Sequence, residues 1–217
     1  MRLVRLATCA ALAGSLLVVG TSQAKVAPVC NLVTDASGDA VLAPIPEPSV
    51  DPLDIVSADV ATDKANITGV IRVKKLATMS AQAPTGMTWD LGFTVDGVQV
   101  DLIAHAGPSG ATSFDASYVD PTTGQGSYFA KAATGSFDLT KSEIHITAST
   151  DVVGTKAPMS KKTILTDFAV SAGPEVAVPD VNGTFGSTAF SDGVSQDTAT
   201  GSGKYLVGAP SCVVPGK

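Results

Sequence analysis

The sequence is poor in several residue types, and each shortage argues against a class of protein. Only 5% of the residues are aromatic, and Trp89 is the sole tryptophan. Many glycan-binding modules expose stacked indole rings, and this sequence has few residues that could form such a surface. Only three of the 20 acidic residues are glutamate. Because aspartate favours turns and glutamate favours helix interiors, we expect few helices.

The charge balance is acidic, with 14 basic residues against 20 acidic ones and a formal net charge of −6. The basic residues form no patch along the sequence. An acidic chain of this kind argues against nucleic acid and against anionic membrane surfaces as partners.

Familiar catalytic motifs are missing as well: GxSxG, HExxH, SxxK and a cysteine–histidine nucleophile arrangement do not occur. The two histidines are His105 and His145. Asp101 shares a strand face with His105, but a rise of about 3.3 Å per residue separates the two by roughly 13 Å. Glu143 lies closer to His145, at about 7 Å by the same rise. The sequence therefore favours a non-catalytic role over an enzyme.

One long apolar run is present, at the N terminus. Arg2 and Arg5 precede apolar residues 6–20, and residues 22–24 place small side chains at the two positions that a signal peptidase reads. The run of about 15 residues is shorter than the roughly 20 that span a bilayer. We therefore predict a signal peptide over 1–24, a secreted chain without a membrane span, and a single domain over 25–217.

Two cysteines follow the predicted signal peptide, Cys30 and Cys212, near the two ends of the mature chain. In an oxidising compartment an even pair indicates a disulfide, whereas two free thiols are the alternative. In the loop-entropy model, a bridge that closes a loop this long stabilises the folded state by about 5 kcal/mol. The bridge would make the first and last strands neighbours.

The mature sequence reads as a series of short strands separated by turns. Its centre is a hairpin over 51–76, in which Ile67, Gly69 and Ile71 share one strand face opposite Thr68 and Arg72. One face should therefore be buried and the other exposed to water. Trp89 alternates in the same way within its strand and is assigned to the core. About ten strands without a helix of three turns predict an all-β fold, an antiparallel β-sandwich of jelly-roll or immunoglobulin-like type with its termini joined by a disulfide.

Aspartates gather just before and at the start of the central hairpin, and they are the best candidates for a site. They are Asp35, Asp39, Asp51 and Asp54. Calcium takes six to eight oxygen ligands, and carboxylates with loop carbonyls supply them. The alternative is that these residues begin turns by accepting hydrogen bonds from their own backbone. The sequence thus offers calcium as a cofactor hypothesis.

Two tyrosines, Tyr118 and Tyr128, flank the loop over 120–126 and are the best candidates for a ligand-binding aromatic surface. Sugar rings stack on exposed aromatic side chains of this kind. The alternative is ordinary filling of the sandwich, because aromatic residues are strand formers.

Five short segments occur in an order that resembles a group of bacterial secreted β-sandwich domains, similar to the family 9 carbohydrate-binding and DOMON-like superfamily. These segments are DASGDA, LDIVSADVATD, FTVDG, FDLTKSEIHITAS and DTATGSGKYLVG. The resemblance covers Cys30 to Cys212 and implies a jelly-roll-like fold with a non-catalytic role. It further implies a metal near Asp39 and Asp54. The haem ligands and the paired tryptophan clamp of those families have no counterpart in this sequence.

These observations favour a secreted, monomeric binding or interaction module, with a glycan or a cell-surface protein as its partner. Two alternatives remain open. One is an extracellular hydrolase with an acidic site built between loops, which a histidine within about 3.2 Å of a carboxylate in a cleft would favour. The other is a cell-surface protein that binds other proteins through an open sheet edge.

Overall fold

The computed structural model describes residues 27–40, 50–81, 83, 85–131, 133–175, 177–179, 185–188 and 197–216. The signal peptide predicted over 1–24 lies outside the described residues. Almost every element within them is a strand, and a 3-10 turn over Asp51–Leu53 precedes the central hairpin.

The strands are numbered in chain order. They are β1 (Val33–Thr34), β2 (Ile55–Thr62), β3 (Asn66–Val73), β4 (Met87–Val95), β5 (Val98–Ala106), β6 (Thr112–Val119), β7 (Gly126–Tyr128), β8 (Thr134–Asp138), β9 (Glu143–Ser149), β10 (Ile164–Pro174), β11 (Ala177–Pro179), β12 (Phe185–Thr188), β13 (Asp197–Gly201) and β14 (Tyr205–Leu206). The only α-helix among the described residues, α1, has four residues, Thr150–Val153, so no helix there is long enough to cross a membrane.

Two antiparallel sheets face each other. The smaller sheet has the strand order β1-β2-β3-β9-β8, and the larger has the order β13-β10-β4-β5-β6-β7 with β14 also beside β10. Among the described residues, strands β11 and β12 form a separate two-stranded sheet. The predicted antiparallel β-sandwich is confirmed, with twelve strands in its two sheets instead of about ten.

The core lies between the sheets and is centred on β4. The period-two pattern of this strand points Trp89, Leu91 and Phe93 inward, and all three are fully buried. The Trp89 ring meets the ring of Phe137 edge to face at 5.4 Å, and its Nε1–H donates to Pro52 O at 2.8 Å. The assignment of Trp89 to the core is confirmed.

The outer face of the smaller sheet is more buried than its polar residues predicted. Asp59 and Thr68 lie on this face, yet their exposed fractions are only 1% and 0%. The C-terminal segment crosses this face, and its Val213 forms a second small apolar cluster with Ala61 and Val70. The expectation of a water-exposed face was wrong here, because alternation within a hairpin cannot show that a distant segment covers it.

The predicted disulfide between Cys30 and Cys212 is confirmed, with a Cα–Cα distance of 5.3 Å. Backbone hydrogen bonds join the same two segments. The Val29 N–H donates to Pro210 O at 2.9 Å, and the Cys212 N–H donates to Val29 O at 3.3 Å. The bridge therefore fixes the two ends of the sandwich side by side.

Candidate cation site at the loop end of the sandwich

Three aspartates converge at one end of the sandwich: Asp35, Asp39 and Asp197. One carboxylate oxygen from each lies within 4.8 Å of the others. The first two belong to the loop after β1, at the edge of the smaller sheet, and the third begins β13, at the edge of the larger sheet. We call this group the aspartate cluster.

Close packing of the two edge strands brings these residues together. The backbone of Gly201 in β13 lies directly against the carbonyl of Leu32, and a Cβ at this position would collide with it. Glycine is therefore required for the approach of the two sheets at this edge. This close approach places the start of β13 beside the loop after β1.

The backbone holds the carboxylates of the cluster in place. Asp197 Oδ2 accepts a 2.6 Å hydrogen bond from the Ile55 N–H, although the two residues are 142 positions apart. Asp35 Oδ1 accepts from the Ala36 N–H at 2.9 Å. The other oxygen of the same carboxylate, Asp35 Oδ2, is buried and has no hydrogen-bond partner among the described residues. A buried acceptor without a donor is costly, and a cation would satisfy it.

The crowding of negative charge changes the titration of the cluster. Asp197 is only 8% exposed. Burial raises the pKa of its carboxyl to about 6, against the opposing hydrogen bond from Ile55. The charge of Asp35, a hydrogen bond from the protonated carboxyl to Asp35, and the charge of Asp39 raise it further. Like charges held this close cannot all ionise freely, so the cluster should take up either a proton or a cation.

This raised pKa predicts an unusual pH dependence in cation-free buffer. The pKa of Asp197 is about 6 when folded, above the model value of 3.8, so unfolding between these values releases a proton. The free energy of unfolding should therefore fall as the pH rises from about 4 to about 6, by on the order of 2 kcal/mol.

Urea unfolding in EDTA at a series of pH values measures this change. Asp197→Asn should remove the part of the decrease that Asp197 contributes, because the amide cannot ionise but can still accept the bond from Ile55. A smaller part, from Asp101, whose pKa burial also raises, should remain. Asp151→Asn, an exposed position outside the cluster, should retain it. The explanation fails if wild type and Asp197→Asn show the same profile.

The two remaining predicted metal ligands, Asp51 and Asp54, lie beside the cluster and carry out other roles. Lys74 Nζ lies 2.8 Å from Asp51 Oδ1 and 3.6 Å from Asp54 Oδ2. Asp54 is fully buried, and its Oδ2 accepts a 2.7 Å hydrogen bond from the Gly38 N–H. Asp54 thus orients the loop that carries Asp35 and Asp39.

Sequence reasoning missed Asp197. It lies in a stretch rich in glycine, serine, threonine and aspartate, which gave no reason to select one carboxylate over the others. The signal available was the alternation of Asp197, Thr198, Ala199 and Thr200, in which the first and third residues are buried and the others exposed. Even so, the pairing of β13 with β10 and its contact with β1 arise only in three dimensions.

Both histidines lie close to carboxylates. His105 Nδ1 is 3.0 Å from Glu175 Oε1 and 3.2 Å from Thr88 Oγ1, and its Nε2 is 3.7 Å from Asp115 Oδ2. In a nucleophile–histidine–acid relay, the hydroxyl and the acid lie on different ring nitrogens. Here Thr88 and Glu175 share Nδ1, and Asp115, on the opposite nitrogen Nε2, lies at 3.7 Å, beyond hydrogen-bond distance, so these contacts do not form such a relay.

His145 belongs to an ion network on the outer face of the smaller sheet. Its Nε2 is 3.1 Å from Glu143 Oε2, and Arg72 Nε donates to Glu143 Oε1 at 3.0 Å. Burial alone would raise the pKa of Glu143, but the hydrogen bonds from His145 and Arg72 outweigh it and lower the pKa. The short distance between His145 and Glu143 thus belongs to an ion network around Arg72 that has a structural role.

The two candidate tyrosines lie on opposite faces of the larger sheet. Tyr118 is paired with the core residue Val100, and its ring packs at 5.1 Å against that of Phe129. Tyr128 is paired with Ser117, the preceding position on β6, so it points to the outer face, where it is 58% exposed. The structure does not bring the two rings into one strip.

Comparisons with known proteins give no assignment. A scan of the sequence against protein-family models finds no match, and a search of curated proteins finds none either. The resemblance to family 9 carbohydrate-binding and DOMON-like domains therefore stays a prediction.

Proposed function

We propose that the protein is a secreted, non-catalytic β-sandwich binding module whose loop end holds a structural calcium ion. The ion would bind Asp35, Asp39 and Asp197. The observation that carries the proposal is the convergence of these carboxylates from two distant segments, within 4.8 Å of one another. The buried Asp35 Oδ2, for which the described residues show no hydrogen-bond partner, also supports it.

The donor chemistry of the aspartate cluster favours calcium over softer metals. The cluster contains carboxylates and neither histidine nor cysteine. Hard oxygen ligands suit calcium and magnesium, whereas zinc and copper prefer nitrogen and sulfur. Carbonyl groups of the loop around Gly38, together with water, would complete a shell of six to eight oxygens.

The ion would act as a structural tie between the two sheets. Asp35 and Asp39 follow an edge strand of the smaller sheet, and Asp197 begins an edge strand of the larger. Neutralising their mutual repulsion would hold these two edges together. A tie of this kind does not require catalytic chemistry, in agreement with a binding module.

Secretion is supported by the sequence features of residues 1–24 and by the Cys30–Cys212 disulfide, since disulfides persist in oxidising compartments. The partner that we propose is a glycan or a cell-surface protein. Tyr128, 58% exposed on the outer face of the larger sheet, is the aromatic side chain that such a partner would contact.

Thermal unfolding with and without calcium tests the proposal. Calcium at about 100 times its dissociation constant should add about 2.7 kcal/mol to the free energy of unfolding. For a domain of this size, the midpoint should rise by roughly 5–11 °C. EDTA should reverse the rise.

Matched variants locate the effect. Asp197→Asn should lose most of the calcium-dependent rise, whereas Asp151→Asn, far from the cluster, should keep it. A midpoint that calcium and EDTA leave unchanged would falsify the proposal. An equal rise in Asp197→Asn would place the ion elsewhere and overturn the assignment of its ligands.

A further inference from the structure

A pocket opens at the end of the sandwich opposite the aspartate cluster. Strand β2 connects the two ends: Ile55, at its start, donates to Asp197, and Thr62, at its end, accepts from the Gly208 N–H beside the pocket at 2.7 Å. Eight extended residues separate the two ends by roughly 23 Å. The cavity volume is about 660 Å³, within the range of about 300–1,000 Å³ that small-molecule sites occupy.

Hydrogen bonds between the walls hold the pocket in shape. Thr150 Oγ1, at the start of α1, donates to Lys64 O in the β2–β3 turn at 2.9 Å. The Ser160 N–H donates to Thr163 Oγ1 at 2.9 Å, and the Val207 N–H donates to Thr163 O at 3.0 Å. Since the backbone walls are tied to one another, a ligand would meet a largely formed site.

The floor of the pocket is apolar. Met159 and Val207 line it, and both are partly buried side chains that also pack against the main core. Pro158 adds a further apolar surface at the edge. An aliphatic or aromatic body would bury apolar area against these three side chains, which is favourable at roughly 25 cal/mol per Å².

The rim carries two positive charges without an ion-pair partner. Lys64 and Lys161 line the pocket, and neither ammonium forms an ion pair within 4.0 Å in the part of the chain that the structure describes. Asp63 and Asp151 also line it. Asp63 Oδ1 already accepts hydrogen bonds from the Ala65 and Asn66 N–H groups, at 2.7 Å each. Asp63 is thus held by the backbone of its own turn, and Lys64 and Lys161 are the cations that an anionic ligand would meet, beside the exposed carboxylate of Asp151.

We propose that this pocket binds a small amphipathic carboxylate. The apolar part of the ligand lies on Met159 and Val207, and its carboxylate pairs with the ammonium groups at the rim, those of Lys64 and Lys161. Ammonium groups pair readily with carboxylates, and an apolar pocket with a few convergent polar groups is the usual form of a ligand site. This site is separate from the aspartate cluster and does not depend on the proposed function.

Isothermal titration with octanoate tests the proposal, with octylamine and octanol as probes of the same chain length. Octanoate should bind with a dissociation constant in the millimolar range or tighter. The other two probes should bind at least about threefold more weakly, because one reverses the charge and the other removes it.

Substitutions at the rim test whether the charges of the two lysines contribute to binding without changing the stability of the fold. Lys64→Ala and Lys161→Ala should each weaken octanoate binding about threefold, and the double variant about tenfold, as expected for partly exposed ion pairs. Lys162→Ala, an exposed neighbour that does not line the pocket, should change binding by less than about twofold. Thermal midpoints of all these variants should match the wild type, because the substituted side chains are exposed.

Three results would overturn the proposal. The first is no octanoate binding up to about 10 mM. The second is binding of octanol or octylamine as tight as that of octanoate. The third is octanoate binding that the double variant retains within twofold of wild type.

Discussion

Reduction of the Cys30–Cys212 disulfide is expected to lower the free energy of unfolding by about 4–5 kcal/mol. The two cysteines are 182 positions apart, so the bridge closes nearly the whole mature chain in the unfolded state. Removing it restores the entropy of that loop to the unfolded ensemble. The loss should lower the thermal midpoint by roughly 10–20 °C in a domain of this size.

Urea unfolding of the oxidised and reduced proteins measures the loss. A double variant, Cys30→Ser with Cys212→Ser, should unfold at the same midpoint as the reduced wild type, whether or not reductant is present. A difference of less than about 1 kcal/mol between oxidised and reduced protein would contradict the expectation. The backbone hydrogen bonds between Val29 and the 210–212 segment would then be sufficient to hold the ends together.

Arg72→Met is expected to destabilise the protein by about 3–5 kcal/mol. Arg72 Nη1 lies 2.7 Å from Asp59 Oδ2, and the Asp59 side chain is only 1% exposed. The substitution keeps much of the side-chain volume but leaves the Asp59 carboxylate buried without its cation. It also removes the 3.0 Å hydrogen bond from Arg72 to Glu143.

Adding Asp59→Asn to Arg72→Met should recover more than half of the loss. The second substitution removes the buried charge, and its side-chain carbonyl can still accept the 3.2 Å hydrogen bond from the Leu32 N–H. Lys141→Met is the matched control, since Lys141 is 66% exposed in its 3.5 Å pair with Asp138 and should cost less than about 1 kcal/mol. An Arg72→Met protein as stable as this control would show that the buried pair contributes little.

The central hairpin and the core strand β4 could be predicted from the sequence because their information is local. Residues 55–62 and 66–73 alternate with period two and are joined by a turn in which Asp63 Oδ1 accepts from the N–H groups of Ala65 and Asn66. Trp89 was assigned to the core on the same alternation, and it is fully buried. The disulfide followed from the count of two cysteines after the predicted signal peptide.

The aspartate cluster could be predicted only in part, since its geometry depends on contacts between distant segments. The sequence singled out Asp35 and Asp39, together with Asp51 and Asp54, because they gather just before and at the start of the central hairpin. Asp197 joins them only through the approach of β13 to the loop after β1, which Gly201 permits. The network around Arg72 was missed for a similar reason, because β9, which carries Glu143, lies beside the central hairpin only in the folded sheet.

The most direct test of the proposed calcium site is a crystal structure of the protein grown with calcium, with anomalous difference density collected to locate the ion. We expect one peak in the aspartate cluster, about 2.3–2.6 Å from carboxylate oxygens of Asp35, Asp39 and Asp197. We expect no peak there in crystals of Asp197→Asn grown in the same way. A cluster without a peak in the wild-type crystals, with the three carboxylates still together, would contradict the account.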